Sequence, residues 1–261
     1  MSRGEGSNLM VMAERRERIV DFINSEGNVT FSQLKKKFSD VSEMTLRTDL
    51  KALDQQRQII RVHGGAKSVG YAIGTDDLLA RRATRRSDEK EEIARKAAAL
   101  VTPGHTIFID SGSTTTAFAT ALEDMDLMVF TNSITVASEL CRNERIMTYL
   151  IGGRVNRFSK STTGGRAVES VREIAFDQVF LGVTGYQRGR GFMCGSDDEA
   201  VFKATLVDRS HKRIALMDSS KEGRSSTFRF CELRDLNCVV TDGGTSSDFA
   251  FDCEEAKVKL L

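Results

Sequence analysis

The stretch IFIDSGSTTTAFATAL, residues 107–122, decides the predicted fold of most of the chain. Its first three residues are apolar, which is typical of a strand buried on both faces, and residues 117–122 predict a packed helix. Asp110 and a run of small polar residues with one glycine lie between them, as in a tight turn. The N–H groups at such a helix start favour an anion, so the stretch predicts a phosphate site. An ordinary strand–helix turn with Ser/Thr capping fits the same residues equally well.

Apolar runs typical of strands recur through the rest of the chain, with helical patterns between most of them. The runs are residues 127–131, 147–151, 179–183, 213–218 and 238–242. Strands and helices that alternate at this spacing predict a parallel sheet with helices on both faces. Ligands of such sheets bind at the carboxyl ends of the strands, where this sequence has polar residues and glycines. The residues predicted to bind the ligand are Asp110, Ser111, Gly112, Ser113, Thr114, Thr115, Asn132, Gly152, Gly153, Gly185 and Lys221.

The ligand predicted from these residue types is a phosphorylated, hydroxyl-rich small molecule. Lys221 supplies a point charge for a phosphate, and Asp110 and Asn132 suit sugar hydroxyls. Turn chemistry explains any one of these loops by itself. The agreement of five loops favours a shared site.

Residues 12–66 predict three short helices followed by a hairpin. The helices begin near Ala13, after Thr30 and after Ser42, and Gly64-Gly65 turns the hairpin. A three-residue turn joins the second and third helices, as in a helix-turn-helix, and the hairpin makes the motif a winged helix. The alternative is a small trihelical interaction module. The residues predicted to contact DNA are Lys36, Ser42, Met44, Thr45, Arg47, Thr48, Lys51, Arg61 and His63.

The third helix and the hairpin also carry a family signature. Residues 41–50, VSEMTLRTDL, and residues 61–66, RVHGGA, resemble the DNA-binding signature of DeoR-type bacterial transcription regulators. The family pattern has a second arginine where this chain has Thr48, and threonine cannot make the bidentate contact of an arginine. The resemblance therefore implies DNA binding, but the operator sequences of relatives are not expected to apply to this chain.

The C-terminal part resembles the effector domain of the same family. The matching motifs are DSGSTT, TNS, IGG, DQVFLGVTG, DEA and DSSK, and DEA adds Glu199 to the predicted site. The resemblance covers residues 13–242 and implies an α/β protein, with an N-terminal winged helix-turn-helix followed by a Rossmann-like α/β domain resembling pentose-phosphate isomerases. It also implies a sequence-specific transcriptional regulator, a repressor of a carbohydrate catabolic operon that a phosphorylated sugar controls.

A sugar-phosphate isomerase is the alternative function. Glu199 and Lys203 suit an acid–base pair near a phosphate, but their i, i+4 spacing on a predicted helix is also that of a surface ion pair. An isomerase needs no winged helix, and the sequence has no second acid–base pair. A regulator is therefore predicted, with no catalytic residue.

Length and composition set the remaining expectations. A chain of 261 residues predicts about two domains. We expect a DNA-binding domain over residues 12–66, a linker over 67–87, and an effector-binding and oligomerisation domain over 88–261. The expected partners are double-stranded operator DNA, a phosphorylated sugar and further copies of the chain, as a dimer or tetramer.

The cysteines and histidines predict neither disulfides nor a metal centre. Five cysteines without a C-x-x-C pair indicate reduced thiols and a cytoplasmic protein, and three scattered histidines lack metal-ligand spacing. No cofactor is expected. No apolar run reaches the length of a membrane span.

Overall fold

The computed structural model describes residues 3–26, 28–62, 64–68 and 79–261. The chain divides into two compact units, residues 1–77 and residues 78–261. His63, which is one of the predicted DNA-binding residues, lies outside the described residues. No helix in the described ranges is both long and apolar enough to cross a membrane.

The first unit contains three helices and a three-stranded antiparallel sheet. Thr30 and Ser42 cap the second and third helices as predicted, while the first helix begins at Arg3 rather than at Ala13. The glycines at positions 4 and 6 weaken a helix signal, but no proline stops the helix there. The elements are α1 (Arg3–Glu26), β1 (Asn28–Thr30), α2 (Phe31–Lys37), α3 (Glu43–Gln55), β2 (Ile59–Val62) and β3 (Gly65–Ser68).

The wing of this unit has one strand more than the predicted hairpin. The sheet order is β1-β3-β2, so the strand before α2 pairs with the far side of the hairpin. A Cβ on Gly65 would lie 2.0 Å from the carbonyl oxygen of Val29, so only glycine allows β1 and β3 to approach this closely. The apolar faces of the helices meet in one buried cluster that includes Ile19, Leu34 and Leu50.

The second unit is built around a seven-stranded sheet in which every neighbouring pair is parallel, as predicted. The helices are α4 (Leu79–Ala83), α5 (Ser87–Ala98), α6 (Ser113–Ala121), α7 (Ile134–Leu140), α8 (Gly165–Arg172), α9 (Asp197–Asp208) and α10 (Ser247–Glu255). The strands are β4 (Thr106–Ile109), β5 (Leu127–Thr131), β6 (Ile146–Leu150), β7 (Arg154–Asn156), β8 (Ser161–Thr163), β9 (Phe176–Gly182), β10 (Gly185–Gln187), β11 (Gly191–Cys194), β12 (Ser210–Leu216), β13 (Phe228–Cys231), β14 (Cys238–Val240) and β15 (Lys259–Leu260).

The strand order of this sheet places a topological switch at its centre. The order is β15-β14-β12-β9-β4-β5-β6. The chain runs outward from β4 through β5 to β6, then returns to β9 on the other side of β4. Phe108 packs into one buried cluster, and its neighbours Ile107 and Ile109 pack into the other, so both faces of the sheet are covered. A crevice between the carboxyl ends of β4 and β9 is where such sheets bind ligands.

Several elements of this unit were not predicted. The strands β7 and β8 form a hairpin, and β10, β11 and β13 form a small antiparallel sheet. Residues 79–83, which lie within the segment expected to be a linker, form a short helix of the second unit. All five cysteines are free thiols, and Cys141 is exposed whereas the other four are buried.

Candidate functional site

Helix α3 presents a polar outer face beside a buried apolar one. Met44 is 79% exposed, and Arg47, Thr48 and Lys51 are exposed as well, whereas Leu50 is buried. Ser42 caps the helix by accepting from the Thr45 N–H at 3.1 Å, and the two hydroxyl oxygens lie 2.8 Å apart. The residues predicted to contact DNA from this helix, Met44, Arg47, Thr48 and Lys51, therefore share one exposed face.

Two of these side chains are held in place by their neighbours. The guanidinium carbon of Arg47 lies 4.1 Å from the centroid of the Phe31 ring. The Thr48 hydroxyl donates to the carbonyl oxygen of Met44 at 2.9 Å, so its donor is used within the helix. Thr48 is thereby limited to accepting a hydrogen bond or making an apolar contact with DNA.

Asp49 is a buried carboxylate that the sequence prediction missed. It is 1% exposed and accepts from Arg15 Nε at 2.7 Å and from Arg16 Nε at 2.8 Å. Both arginines belong to α1, so this residue fixes α3 against the first helix. The sequence signal was a carboxylate between the two leucines Leu46 and Leu50 on the inward face.

The predicted phosphate-contacting residues outside α3 are accessible. Lys36 and Arg61 are both exposed. Lys35 is different, because its Nζ donates to the carbonyl oxygens of Ser39 and Val41 and so holds the turn between α2 and α3.

A buried ion cluster lies at the switch point of the second unit. Asp110 directly follows β4, and its Oδ2 accepts from Lys203 Nζ at 2.5 Å and from the N–H of Gly182 at 3.0 Å. The same Nζ donates to the carbonyl oxygen of Gly182 at 2.7 Å and lies 3.2 Å from Glu199 Oε1. Lys203 and Asp110 are 2% and 1% exposed, so this ion pair is closed to solvent, whereas the Glu199 side chain is 21% exposed.

This burial corrects one sequence interpretation. The Glu199–Lys203 pair fits a surface ion pair by spacing, but the lysine is inside. Burial lowers the pKa of the Lys203 ammonium, yet the charges of Asp110 and Glu199 outweigh burial and raise the pKa above its ordinary value. Lys203 therefore stays protonated and neutralises Asp110. Sequence reasoning used Lys203 only for the isomerase alternative, and Gly182 not at all.

The loop after Asp110 leads into an uncapped helix start. Gly112, at φ 150°, precedes α6 and has no side chain to cap it, so the first N–H groups of this helix lack internal partners. The hydroxyls of Thr115 and Thr116 donate back to the Gly112 carbonyl oxygen at 3.0 and 2.7 Å. Thr115 is fully buried with its donor used, so it supports the loop. Ser113 and Thr114 are half-buried and remain accessible.

Asn132 lies beside Asp110 and under the β7–β8 hairpin. Ile109 and Thr131 are register partners, so the next residues, Asp110 and Asn132, follow at the same level of neighbouring strands. The Asn132 Nδ2 donates to the Thr162 carbonyl oxygen at 3.2 Å, and the Thr162 N–H donates to the Asn132 carbonyl oxygen at 2.8 Å. Asn132 is 2% exposed.

Two of the predicted glycines have packing roles. A Cβ on Gly153 would lie 2.9 Å from the Thr163 carbonyl oxygen, and a Cβ on Gly185 would lie 2.3 Å from that of Arg224. Close approach of the backbone therefore explains both glycines without a ligand. Gly152 has open space around its Cβ position and follows β6.

Lys221 ends a short turn after β12, on the opposite side of the switch from Gly152. The strand order puts β6 and β12 four spacings apart, roughly 19 Å. A single small sugar phosphate does not span that distance, so the predicted residues do not form one contact set. Asp110, Asn132 and Glu199 are brought together, whereas Gly152 and Lys221 lie towards opposite ends.

The turn that carries Lys221 is anchored by Asp242, which follows β14. Its carboxylate accepts from the Ser219 N–H at 2.6 Å, from the Ser219 hydroxyl at 2.9 Å and from the Gly244 N–H at 3.1 Å. Burial raises the pKa of Asp242, but these donors outweigh burial and hold the pKa below its ordinary value. Within the ranges described, no group of three or more His, Cys, Asp or Glu side chains is placed to hold a metal ion.

Comparison with known families assigns both units. Residues 15–70 match the model of the DeoR-like helix-turn-helix domain, and residues 85–243 match the model of the DeoR C terminal sensor domain. The transcriptional regulator YulB of Bacillus subtilis is 32% identical over 251 residues, which is 96% of this chain and 96% of the relative.

Two further relatives are named as repressors. The putative aga operon transcriptional repressor of Escherichia coli O157:H7 is 29% identical over 95% of this chain and 93% of its own. The lactose phosphotransferase system repressor of Staphylococcus epidermidis is 29% identical over 88% of this chain and 91% of its own. Among solved structures, ribose 5-phosphate isomerase A of Methanocaldococcus jannaschii is similar over 52% of this chain and 54% of that chain, with 19% identity and a TM-score of 0.38.

Proposed function

Because this chain belongs to the DeoR family of helix-turn-helix transcriptional regulators, we propose that it represses a carbohydrate catabolic operon under the control of a phosphorylated sugar. The names of two relatives, an aga operon repressor and a lactose phosphotransferase system repressor, support the operon class. The observation that carries the effector proposal is the pair of buried polar side chains, Asp110 and Asn132, at the switch point next to an uncapped helix start.

In this proposal the first unit reads DNA through α3. The exposed residues Met44, Arg47 and Lys51 enter the major groove, while Lys36 and Arg61 contact phosphates. Ser42, Thr45 and Thr48 complete this surface, and their hydroxyl oxygens act there as hydrogen-bond acceptors. We assign DNA binding to residues 12–66 and effector binding to residues 88–261, and we shorten the expected linker of 67–87 to the part between β3 and α4, because α4 belongs to the second unit.

The second unit binds the effector at the carboxyl ends of its strands. The phosphate lies at the start of α6, where Ser111, Gly112, Ser113 and Thr114 offer N–H groups and hydroxyls. The sugar extends towards Asp110, Asn132 and Glu199. Lys221 supplies a positive charge from the side of β12. This strand lies two strand spacings, or roughly 10 Å, from β4.

The chain also works as a dimer or tetramer in this proposal, and it acts in the cytoplasm, where operator DNA lies. Edge strand β6 supports self-association. Met147, Tyr149 and Leu150 are 56%, 42% and 49% exposed on it, and the strand carries no charged side chain. Natural edge strands are normally protected by charges, bulges or a covering element. Sedimentation equilibrium tests this part, and a monomer at micromolar concentration would refute it.

The experiment for the main proposal is fluorescence anisotropy on the DNA upstream of the chain's own coding sequence. A panel of sugar phosphates is titrated into the protein–DNA complex, with the unphosphorylated sugars as controls. We expect one phosphate to change the DNA affinity while its free sugar does not. DNA binding that no phosphate alters would refute the effector class and leave the DNA-binding assignment in place.

A further inference from the structure

Two buried oxygen atoms at the switch point have no hydrogen-bond donor. They are Oδ1 of Asp110 and Oδ1 of Asn132. These side chains follow register partners on neighbouring parallel strands, so they point to the same face of the sheet. Buried polar atoms are normally paired, and an unpaired acceptor in a closed site indicates a missing donor.

No described group donates to either atom. An ammonium has three donors, and Lys203 Nζ already faces three acceptors in Asp110 Oδ2, the Gly182 carbonyl oxygen and Glu199 Oε1. One of the two amide N–H groups of Asn132 is directed at the Thr162 carbonyl oxygen. Both open positions therefore accept hydrogen bonds. Hydroxyl groups fit them, whereas an ionised phosphate or carboxylate brings no donor.

The β7–β8 hairpin covers Asn132, one of these two acceptors. Its second strand is hydrogen-bonded to Asn132, so movement of the hairpin would expose Asn132 Oδ1. Glycines with positive φ flank the hairpin on both sides, Gly153 at 154° and Gly164 at 99°. Such glycines tolerate backbone rotation that other residues resist.

Beyond its pairing with Asn132, the hairpin makes contacts at its base and at its tip, and the contact at the tip leads to α4. Arg154 at its base forms an ion pair with Asp198 at the start of α9, and both side chains are exposed. The N–H of Leu79 donates to the carbonyl oxygen of Phe158 at the hairpin tip at 2.9 Å. Leu79 is 5% exposed and is the first residue of α4.

We propose that the β7–β8 hairpin is a lid over a hydroxyl-accepting subsite formed by Asp110 and Asn132. Two neighbouring hydroxyls of the effector donate to the two Oδ1 atoms when the lid moves, and the movement reaches α4 through Phe158 and Leu79. This inference rests on the proposed function and goes beyond it by assigning the two atoms that accept the sugar hydroxyls and the element that responds.

The first arm of the test needs no ligand. Hydrogen–deuterium exchange of residues 154–163 is measured in the full chain, in Arg154→Ala and in Arg145→Ala. The matched control removes an exposed ion pair with Asp126 outside the hairpin. We expect exchange in the hairpin to quicken about two- to five-fold in Arg154→Ala, the size of one exposed ion pair, and to stay unchanged in Arg145→Ala. Unchanged exchange in Arg154→Ala would overturn the lid.

The second arm uses ribose 5-phosphate, glucose 6-phosphate and fructose 6-phosphate, each beside its monodeoxy analogues. For a phosphate that binds, removal of either of two neighbouring hydroxyls is expected to weaken binding about 10- to 100-fold, and binding should change hairpin exchange. Equal binding of all the deoxy analogues would overturn the subsite. If Arg154→Ala quickens exchange but no phosphate binds, the effector class and the subsite fail together while the lid stands.

Discussion

The guanidinium of Arg47 lies 4.1 Å from the centroid of the Phe31 ring, so a residue of α2 orients the arginine that α3 presents. We predict that Arg47→Ala weakens operator binding by about 10- to 100-fold, the value of one good base contact. Phe31→Leu keeps the charge and removes the stacking, so it should cost only about two- to five-fold. Anisotropy titrations measure both. Equal affinities of Arg47→Ala and the unchanged chain would rule out base reading by this residue.

Asp49 joins α3 to α1 through Arg15 and Arg16. Asp49→Ala leaves two partly buried guanidinium groups without their acceptor, so we predict a loss of roughly 1–3 kcal/mol in the free energy of unfolding of the first unit. Scanning calorimetry should show that unit melting earlier while the second unit is unchanged. The exposed carboxylate of Asp40 provides the control, Asp40→Asn, for which we expect no measurable shift.

Lys203 neutralises the buried Asp110. Lys203→Met should lower the free energy of unfolding of the second unit by roughly 3–5 kcal/mol, because a buried carboxylate loses its counterion. Asp110→Asn combined with Lys203→Met removes the stranded charge, so the double variant should be more stable than Lys203→Met alone. Denaturant unfolding of the unchanged chain, Lys203→Met, Asp110→Asn and the double variant gives the coupling free energy. Strictly additive losses would contradict direct coupling of the two side chains.

Lys221 is predicted to act on the effector and not on DNA. Lys221→Ala should raise the concentration of an active sugar phosphate that is needed to shift the DNA affinity by at least about tenfold. The reason is that a charge-assisted phosphate contact is lost. Its DNA affinity without effector should stay within about twofold of that of the unchanged chain. Lys257→Ala, at an exposed position after α10, serves as the control. A loss of DNA binding in Lys221→Ala would contradict separate sites.

Asp242 predicts a dependence of stability on pH. Its pKa in the folded chain lies below the ordinary value because the donors of Ser219 and Gly244 outweigh burial. The stabilisation is therefore present above about pH 4, the ordinary aspartate value, and is lost as the pH falls through the folded pKa. We expect Asp242→Asn to be less stable by roughly 1–3 kcal/mol at pH 7, with a smaller difference at pH 3. A difference that stays constant across this range would exclude the linkage.

The sequence predicted the elements whose signal is local. Apolar runs such as residues 107–109 marked the strands, and capping residues such as Ser42 marked helix starts. The parallel sheet followed from their alternation, and its carboxyl edge placed Asp110 and Asn132 near each other. These inferences depend on spacing over a few residues.

The parts that were missed depend on contacts between distant residues. Lys203 meets Asp110 across 93 positions, so no spacing rule revealed that the lysine is buried. The β7–β8 hairpin has three-residue strands of mostly polar side chains, and its backbone pairs within the hairpin and with Asn132. Gly185 looked like part of a ligand loop, because the backbone that packs against it lies 39 residues later, at Arg224.

The exposure of Cys141 makes the natural chain suited to site-specific labelling. Burial raises the pKa of the Cys231, Cys238 and Cys253 thiols, so these form little thiolate near neutral pH, and Cys194 is buried as well. A maleimide dye should therefore attach at Cys141, directly after α7. The N–H of Ile134, the first residue of that helix, donates to the carbonyl oxygen of Lys160 in the hairpin. Cys141 lies at the other end of that helix, about 10 Å away along its axis, so a single fluorophore can report on movement of α7 in real time without an engineered cysteine.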